Sequence, residues 1–482
     1  MEYEPVIGLE VHAQVMTQSK MFCGCSADYA GAPPNSHVCP VCMGAPGVMP
    51  VINAAAVRDT IKVALALNCE IPPFSKFDRK NYPYPDLVKG YQVSQYDMPF
   101  SRNGHLDIKI DGQTRRIGIV RVHLEEDTAK LLHRTGVEGD YSLLDLNRSG
   151  VPLMEIVSGP DLHSPEEARA YFQTLRTVLQ YLGVNDGDME KGSLRCDANV
   201  SVRPAGSTAL GVKTEIKNMN SFRAVRDALA YEIERQIAVL KSGGSIEQET
   251  RGWREAEGVT TEQRSKELAH DYRYFPEPDL PPLHLTPAYV EEIRASLPEL
   301  APARHARLVE QYGLRDADAA TITASRALAD FYEAAVAAAP EGTADKVANY
   351  LLSDVGGWLN VANLEIAQSK LTPQHLAEVV RLVHDKALNT KTARAVLEES
   401  FQTGTAPAQI VRDKGLSKIA DPAQLEPIVR GVVEANAKAV ADYRSGKTAA
   451  IEALFGQVMG RTRGQADPAV ARSLLQAVLT EG

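Results

Sequence analysis

Two-residue alternation recurs in separate stretches of this chain, and it limits the possible folds more than any other feature. In residues 120–127, Val120, Val122 and Leu124 fall on one side of an extended backbone, and Arg121, His123, Glu125 and Asp127 on the other. Near the N-terminus, Ile7, Leu9 and Val11 alternate with Glu10, His12 and Gln14. From Ser193 to Arg203 the pattern puts Ser193, Arg195, Asp197, Asn199, Ser201 and Arg203 opposite Leu194, Cys196, Ala198, Val200 and Val202. Lys213, Glu215 and Lys217 oppose Val212, Thr214 and Ile216. Strands with one apolar face build an antiparallel sheet covered on one side only. We therefore expect the polar faces to share one open sheet surface and that surface to be the active site. Acids on one strand face repel one another, so a divalent cation or basic neighbours must offset them.

At 482 residues the chain has room for two to four domains. Its 44% apolar and 24% charged residues are those of a soluble globular protein, and no apolar run approaches a membrane span. The acidic start, Met1-Glu2-Tyr3-Glu4-Pro5, runs into a strand pattern and does not read as a signal peptide, so a cytoplasmic protein is expected. A net charge of −10 excludes a generic nucleic-acid coat but leaves room for a local basic patch. Only residues 406–482 lean basic, at +2 against −12 for the rest.

Cys23-Gly24-Cys25 and Cys39-Pro40-Val41-Cys42 are two close pairs with thirteen residues between them. In a cytoplasmic chain they favour a tetrahedral, structural zinc site over disulfides, the alternative being four reduced thiols lining a loop. Cys69 and Cys196 sit in apolar patterns and read as core. Between Lys76 and Gln95, two prolines and Gly90 argue against a regular element. The cations there are a phosphate clamp facing the acidic sheet or a solvated basic loop. Glu155 stands alone in an apolar run and needs a partner, structural or functional.

Asp107 to Ile119 reads as a hairpin turning at Asp111-Gly112, and Asn53–Asn68, Ser164–Leu182 and Arg223–Leu240 as helices. Gln248 to Leu283 reads as an extended strap whose Arg251, Arg264, Lys266 and Arg273 reach the site or stay on the surface. After about residue 285 the pattern is helical, with Ser325–Ala339, Asp345–Asn360 and Pro373–His384 the clearest segments. A last helical module, Ala406–Gly482, is broken at Gly415, Pro422 and Pro427. Gly446-Lys447-Thr448 is rejected as a phosphate loop, because the motif's first glycine would fall at Ala441 and no strand precedes it.

Carboxylates can hold a triphosphate only through Mg²⁺, with Lys or Arg on the far side of the phosphates. The chain offers acids at 10, 125, 127, 197 and 215 and cations at 79, 80, 89, 121 and 195, but no glycine-rich phosphate loop. That combination points to a sheet-based ATP site.

Six ordered motifs carry a family likeness: Gly8–His12, Asp78–Gln92, Arg121–Asp127, Met189–Asn199, Glu215–Ser221 and Asp271–Pro276. Together they resemble the B subunit family of the tRNA-dependent amidotransferases over essentially the whole chain. The resemblance implies an α+β fold. Residues 1–290 would form a cradle with an antiparallel, glutamine-synthetase-like sheet and a zinc-binding insert near 20–45. A helical linker domain over 291–405 and a YqeY-like helical tail over 406–482 would follow, the tail gripping the tRNA elbow. It implies ATP-dependent phosphorylation of the side-chain carboxylate of Glu-tRNA(Gln) or Asp-tRNA(Asn), followed by amidation. The ammonia would come from glutamine hydrolysed in a separate amidase, the A subunit, braced by a small C subunit. By motif position it implies Mg²⁺ on Glu10, His12 and Glu125, and Zn²⁺ on Cys23, Cys25, Cys39 and Cys42. We assign Asp127, Asp197 and Glu215 as further ligands or orienters, and Arg79, Lys80, Lys89 and Arg195 as nucleotide-phosphate contacts. His12 as a satisfied strand histidine is the plain alternative for that residue. For the whole chain, the alternatives are an ATP-dependent ligase acting on a small acid and a non-enzymatic tRNA-binding scaffold.

Overall fold

The computed structural model describes residues 2–136, 139–265, 272–416, 421–462 and 464–480, without the side chains of 264 and 265. Lys266 and Asp271, and the side chain of Arg264, lie outside the described residues. Two compact units divide the chain, Met1–Ala301 and Pro302–Gly482.

The first unit begins with β1 (Tyr3–Gln14), α1 (Ala54–Ala66), β2 (Phe74–Ser75), β3 (Asp78–Asn81) and β4 (Tyr91–Ser94). It continues through β5 (Ser101–Ile110), β6 (Gln113–Glu126), β7 (Lys130–Gly136), β8 (Gly139–Asp145) and β9 (Pro152–Ser158). Then come α2 (Pro165–Leu182), β10 (Leu194–Pro204), β11 (Thr214–Lys217), α3 (Phe222–Lys241), β12 (Glu249–Arg254) and β13 (Val259–Ser265). It closes with β14 (Phe275–Pro276), β15 (Leu283–His284) and α4 (Pro287–Ala295).

Eight strands form one sheet in the order β13-β12-β11-β10-β1-β9-β6-β5. All neighbours are antiparallel except β11 and β12. The alternating pattern does what it predicts. Leu9, Val11, Val122, Leu124, Met154, Ile156, Ala198 and Val200 point into one core with Ile61 of α1, Phe172 and Leu175 of α2, and Val225 of α3. Each large aliphatic side chain buried there contributes roughly 1.5–3 kcal/mol. Each of the three helices starts at a side-chain cap: Asn53 accepts from Ala55 and Ala56, Ser164 from Glu167, and Ser221, two residues before the expected start at Arg223, from Ala224. The β5–β6 turn needs two positive φ angles, and Asp111 (49°) and Gly112 (75°) supply them.

Several strand pairs depart from the sequence reading. The Lys76–Gln95 stretch holds β3 and β4, paired with each other and, through β3, with β14. Pro83 and Pro85 fall in the connecting loop, where no ladder amide is missed. The strap holds the β12–β13 hairpin, and β7–β8 is a further hairpin. Beyond Val122, β6 has no β5 partner. Side chains from the β4 segment cover this open edge: Gln95 accepts from the Leu124 amide, and Gln92 donates to the Glu126 carbonyl. This brings the small sheet alongside the acidic end of β6.

Ile293, Leu297 and Leu300 still belong to the first core. The second unit is helical among the described residues, with two cores. One gathers Leu308, Tyr332, Leu351, Leu376, Val380, Leu397, Ile410 and Val411. The other gathers Leu425, Val429, Leu454, Val458 and Leu475. Gly415 (φ 60°) precedes the helix Pro422–Ala435, and Pro422 is its first residue. Pro427 does not break that helix, because burial of Leu425, Val429 and Val432 outweighs one lost amide bond. Lys447 sits in a turn between helices and pairs with Asp442. Among the described residues no helix is long and apolar enough to cross a membrane.

Candidate functional site

β9 lies between β1 and β6, and the register sets His12 and His123 on either side of Glu155. The His12 Nε2 is 3.4 Å from Glu155 Oε2 and 3.9 Å from Glu125 Oε1. The His123 Nε2 is 3.4 Å from Glu155 Oε2 and 3.6 Å from Glu125 Oε2. Ser94 Oγ donates to Glu125 at 2.9 Å. Glu125, Glu155 and His123 are buried, while His12 is partly open. Donor atoms of His12, Glu125 and Glu155 lie within 4.8 Å of one another, close enough to share a single cation.

Burial by itself would raise both carboxyls, but their neighbours reverse it. His123, then His12, hold Glu155 well below the ordinary range. His123 and Lys80 hold Glu125 below it, although Glu155 pushes the other way. For His12, burial disfavours the charged ring, yet Glu155, Glu125 and Asp197 raise it overall. Lys80 reaches this centre from β3. Burial works against its charge, but Glu125 and Glu155 help to keep it protonated. Its Nζ lies 4.9 Å from the Tyr272 ring centroid and 5.9 Å from that of Tyr82, and it has no carboxylate within ion-pair distance among the described residues. It is a cation held in place by aromatic rings and available to a phosphate.

A second set of charges surrounds this centre. Buried Asp127 accepts from Gln14 at 2.8 Å and Arg195 at 3.1 Å, with Arg148 at 3.7 Å. Against the cost of burial, Arg195 and Arg148 hold it below the ordinary range. The Arg195 Nε is buried with no partner, as is that of Arg121. Lys217 bridges Asp197 at 2.7 Å and Glu215 at 3.2 Å. Glu10 stands further along β1, where Asn199 donates to it at 2.9 Å, outside the three-residue donor cluster.

Arg79 and Lys89 do not join the acidic face. Arg79 makes a two-pronged pair with Glu277 at 2.7 and 2.8 Å, and Lys89 pairs with Glu126. Period two explains the split: Arg79 and Lys80 project to opposite sides of β3, as Glu125 and Glu126 do on β6. Arg79, Lys89 and Glu126 line a separate cavity of about 230 Å³ together with Cys23 and Cys42. Arg251 is likewise occupied, by Glu249 and Glu232. The sequence reading placed His123 on the polar face and asked for a partner for Glu155, but left both out of the site. The signal for Glu155 was an acid inside an apolar run.

The sulfurs of Cys23, Cys25, Cys39 and Cys42 also lie within 4.8 Å of one another. Hydrogen bonding from Cys23 brings the Cys42 thiol down to about 4, and Lys20 adds to this. The same bond drives Cys23 up, and burial pushes Cys25 to about 11. Four sulfurs this close can all ionise only around a cation, and four cysteine thiolates are a donor set that zinc takes in structural sites. Cys69 and Cys196 are buried in the core.

Residues 5–291 match the family described as the GatB/GatE catalytic domain, and residues 330–479 match the GatB domain. The chain belongs to the GatB/GatE family. It is 56% identical over 476 residues to the B subunit of the aspartyl/glutamyl-tRNA(Asn/Gln) amidotransferase of Moorella thermoacetica, covering 99% of each chain. It is 55% identical to that of Thermomicrobium roseum over 481 residues, 100% of this chain and 99% of the relative. The Brevibacillus brevis protein of the same name is 51% identical over 478 residues, 99% of each. In this GatB/GatE member the catalytic-domain match takes in all eight strands of the acidic sheet and both donor clusters.

Proposed function

We propose that this chain is the B subunit of an aspartyl/glutamyl-tRNA amidotransferase, and that the acidic sheet face is where its chemistry happens. The observation that carries the site is the meeting of His12, Glu125 and Glu155 from three strands, with Lys80 held beside them. A carboxylate is a poor acceptor for ammonia. Attack of the tRNA-borne side-chain oxygen on the terminal phosphorus of ATP breaks the bond to ADP and leaves an acyl phosphate. Ammonia then adds at the carbonyl carbon, phosphate departs, and a proton is lost to give the amide.

His12, Glu125 and Glu155 would hold Mg²⁺, which when bound supplies the positive charge that lets two anions approach. Two carboxylates already ionised and one imidazole are a suitable donor set. Lys80 faces the transferring phosphate, and Arg195, fixed by Asp127, screens the second anion. Asp197 and Glu215 hold Lys217 in place on the same face. Zn²⁺ on the four cysteines would brace the loop that packs behind β6, where Ser149 donates to the Cys42 carbonyl. A separate amidase chain supplies ammonia from glutamine, a small third chain braces the pair, and the C-terminal helical core contacts the tRNA.

The test is the purified complex with ATP, glutamine and each mischarged tRNA in turn, alone and with Glu125→Gln. Amidation should fall by about 10²–10³-fold while charged tRNA still binds. Unchanged amidation would favour a scaffold. Removal of residues 417–482 should weaken tRNA use and spare ATP binding. The cut leaves Ile410 and Val411 in their core. Unaltered tRNA affinity would favour a ligase acting on a small acid.

A further inference from the structure

Between β1 and the first cysteine pair stands a lysine that water does not reach. Lys20 is only 1% exposed. Its Nζ donates to the carbonyls of His37 at 2.7 Å and Leu146 at 3.3 Å. Among the described residues it has no carboxylate within ion-pair distance. Carbonyls solvate an ammonium without neutralising it, and a buried charge needs an opposite one nearby. Gly150 marks what surrounds the lysine. A Cβ built there would lie 3.6 Å from Lys20 Cδ, 3.5 Å from Cys42 Cβ and 3.9 Å from Glu126 Oε2. Glu126 is already paired with Lys89, so those two charges cancel and Lys20 is left over. On the same side lies the cysteine quartet, with Cys42 as its buried member. Lys20 also touches the backbone around both cysteine pairs. Its amide donates to the Cys25 carbonyl at 2.9 Å, and His37, which takes its Nζ, stands two residues before Cys39.

We propose that Lys20 is the countercharge of the metal centre, and that its buried ammonium sets how tightly the four cysteines keep their zinc. The inference rests on the reading of the quartet as a zinc site. Four thiolates around a divalent cation leave two negative charges over. Such a centre, packed against the loop before β9, is an anion with little water to screen it. Lys20 is a cation in the same position. Each burial is costly alone, and each offsets the other. A fixed positive charge beside the sulfurs favours the loaded, anionic centre over the empty one. The two carbonyl contacts hold that charge in place. They come from the segment between the cysteine pairs and from the loop before β9, so the same side chain ties the centre to the sheet.

Two substitutions separate charge from hydrogen bonding. Lys20→Gln removes the charge and keeps an N–H donor. Lys20→Met removes both and keeps the apolar stem. The loop stays tied to residues 144–147 in either variant, because Asn35 donates to the Leu144 carbonyl at 3.1 Å and the His37 amide donates to Asn147 Oδ1 at 2.8 Å. In the purified full-length chain, Zn²⁺ affinity measured by competition with a chelator should fall about 10–100-fold in both variants. Co²⁺ in place of zinc should still show the absorption of a tetrahedral four-thiolate site, at a matching loss of affinity. Affinity kept in Lys20→Gln and lost only in Lys20→Met assigns the residue to hydrogen bonding and overturns the countercharge. Affinity unchanged in both variants overturns it as well. The unaltered chain supplies a check that needs no variant. Lys20 should resist acetylation by acetic anhydride while zinc is bound and react about tenfold faster after chelation, with the exposed Lys109 as the reference. Protection that does not depend on zinc overturns the pairing. Failure of the underlying reading shows separately, before any variant is made: an unaltered chain that takes up no zinc removes the quartet site and the countercharge with it.

Discussion

The two donor clusters of the first unit are built in opposite ways. Cys23, Cys25, Cys39 and Cys42 come from one loop of twenty residues, spaced so that short knuckles bring the sulfurs together. His12, Glu125 and Glu155 come from three strands and meet only because β9 inserts between β1 and β6. The cysteine set has four soft donors and no open position, which suits a brace. The strand set has three hard or borderline donors with a lysine alongside, and so leaves coordination positions to a substrate. Local sequence builds the cysteine quartet; long-range pairing builds the strand cluster.

The largest expected effect separates the strand cluster from its neighbour on β1. Glu155→Gln should cost amidation as much as Glu125→Gln, about 10²–10³-fold, and Glu10→Gln distinctly less, read as kcat/KM in the complex. Equal losses at all three positions would return Glu10 to the donor set. The cysteine cluster should behave otherwise. The purified protein should hold about one equivalent of zinc, and Cys39→Ser should empty the site and lower the unfolding temperature by several degrees. Activity measured well below that temperature should stay within about threefold. A complete loss of turnover in a still-folded variant would make the brace part of the chemistry.

Lys80 and Arg79 offer a finer comparison, since they are adjacent residues on opposite sides of β3. Lys80→Met should raise KM for ATP about tenfold, whereas Arg79→Met should leave it nearly unchanged and lower stability through the orphaned Glu277. The smallest effect belongs to a charge group with no proposed ligand. In the helical unit burial opposes ionisation of Glu333, but Arg307 and Arg304 hold its carboxyl below the ordinary 4.5. Its folded value is therefore lower than its unfolded one, and its contribution is present above about 4.5 and lost as pH falls through the folded value. Glu333→Gln should flatten the acid side of the stability curve by under about 1 kcal/mol and leave amidation alone.

The amino-acid sequence alone specifies the strand faces, the helix starts at Asn53 and Ser164, the Asp111-Gly112 turn and the cysteine quartet. Each depends on spacing or on a residue's own backbone preference, both of which are local. It also marked Glu155 as an acid in need of a partner. Who that partner is depends on the assembled sheet, because strand order and register join residues more than a hundred positions apart. The same holds for Arg79 and Lys89. Their charge is legible, but the side of the strand they face depends on where β3 and β4 form, and short strands interrupted by a proline loop carry too few alternations to show it.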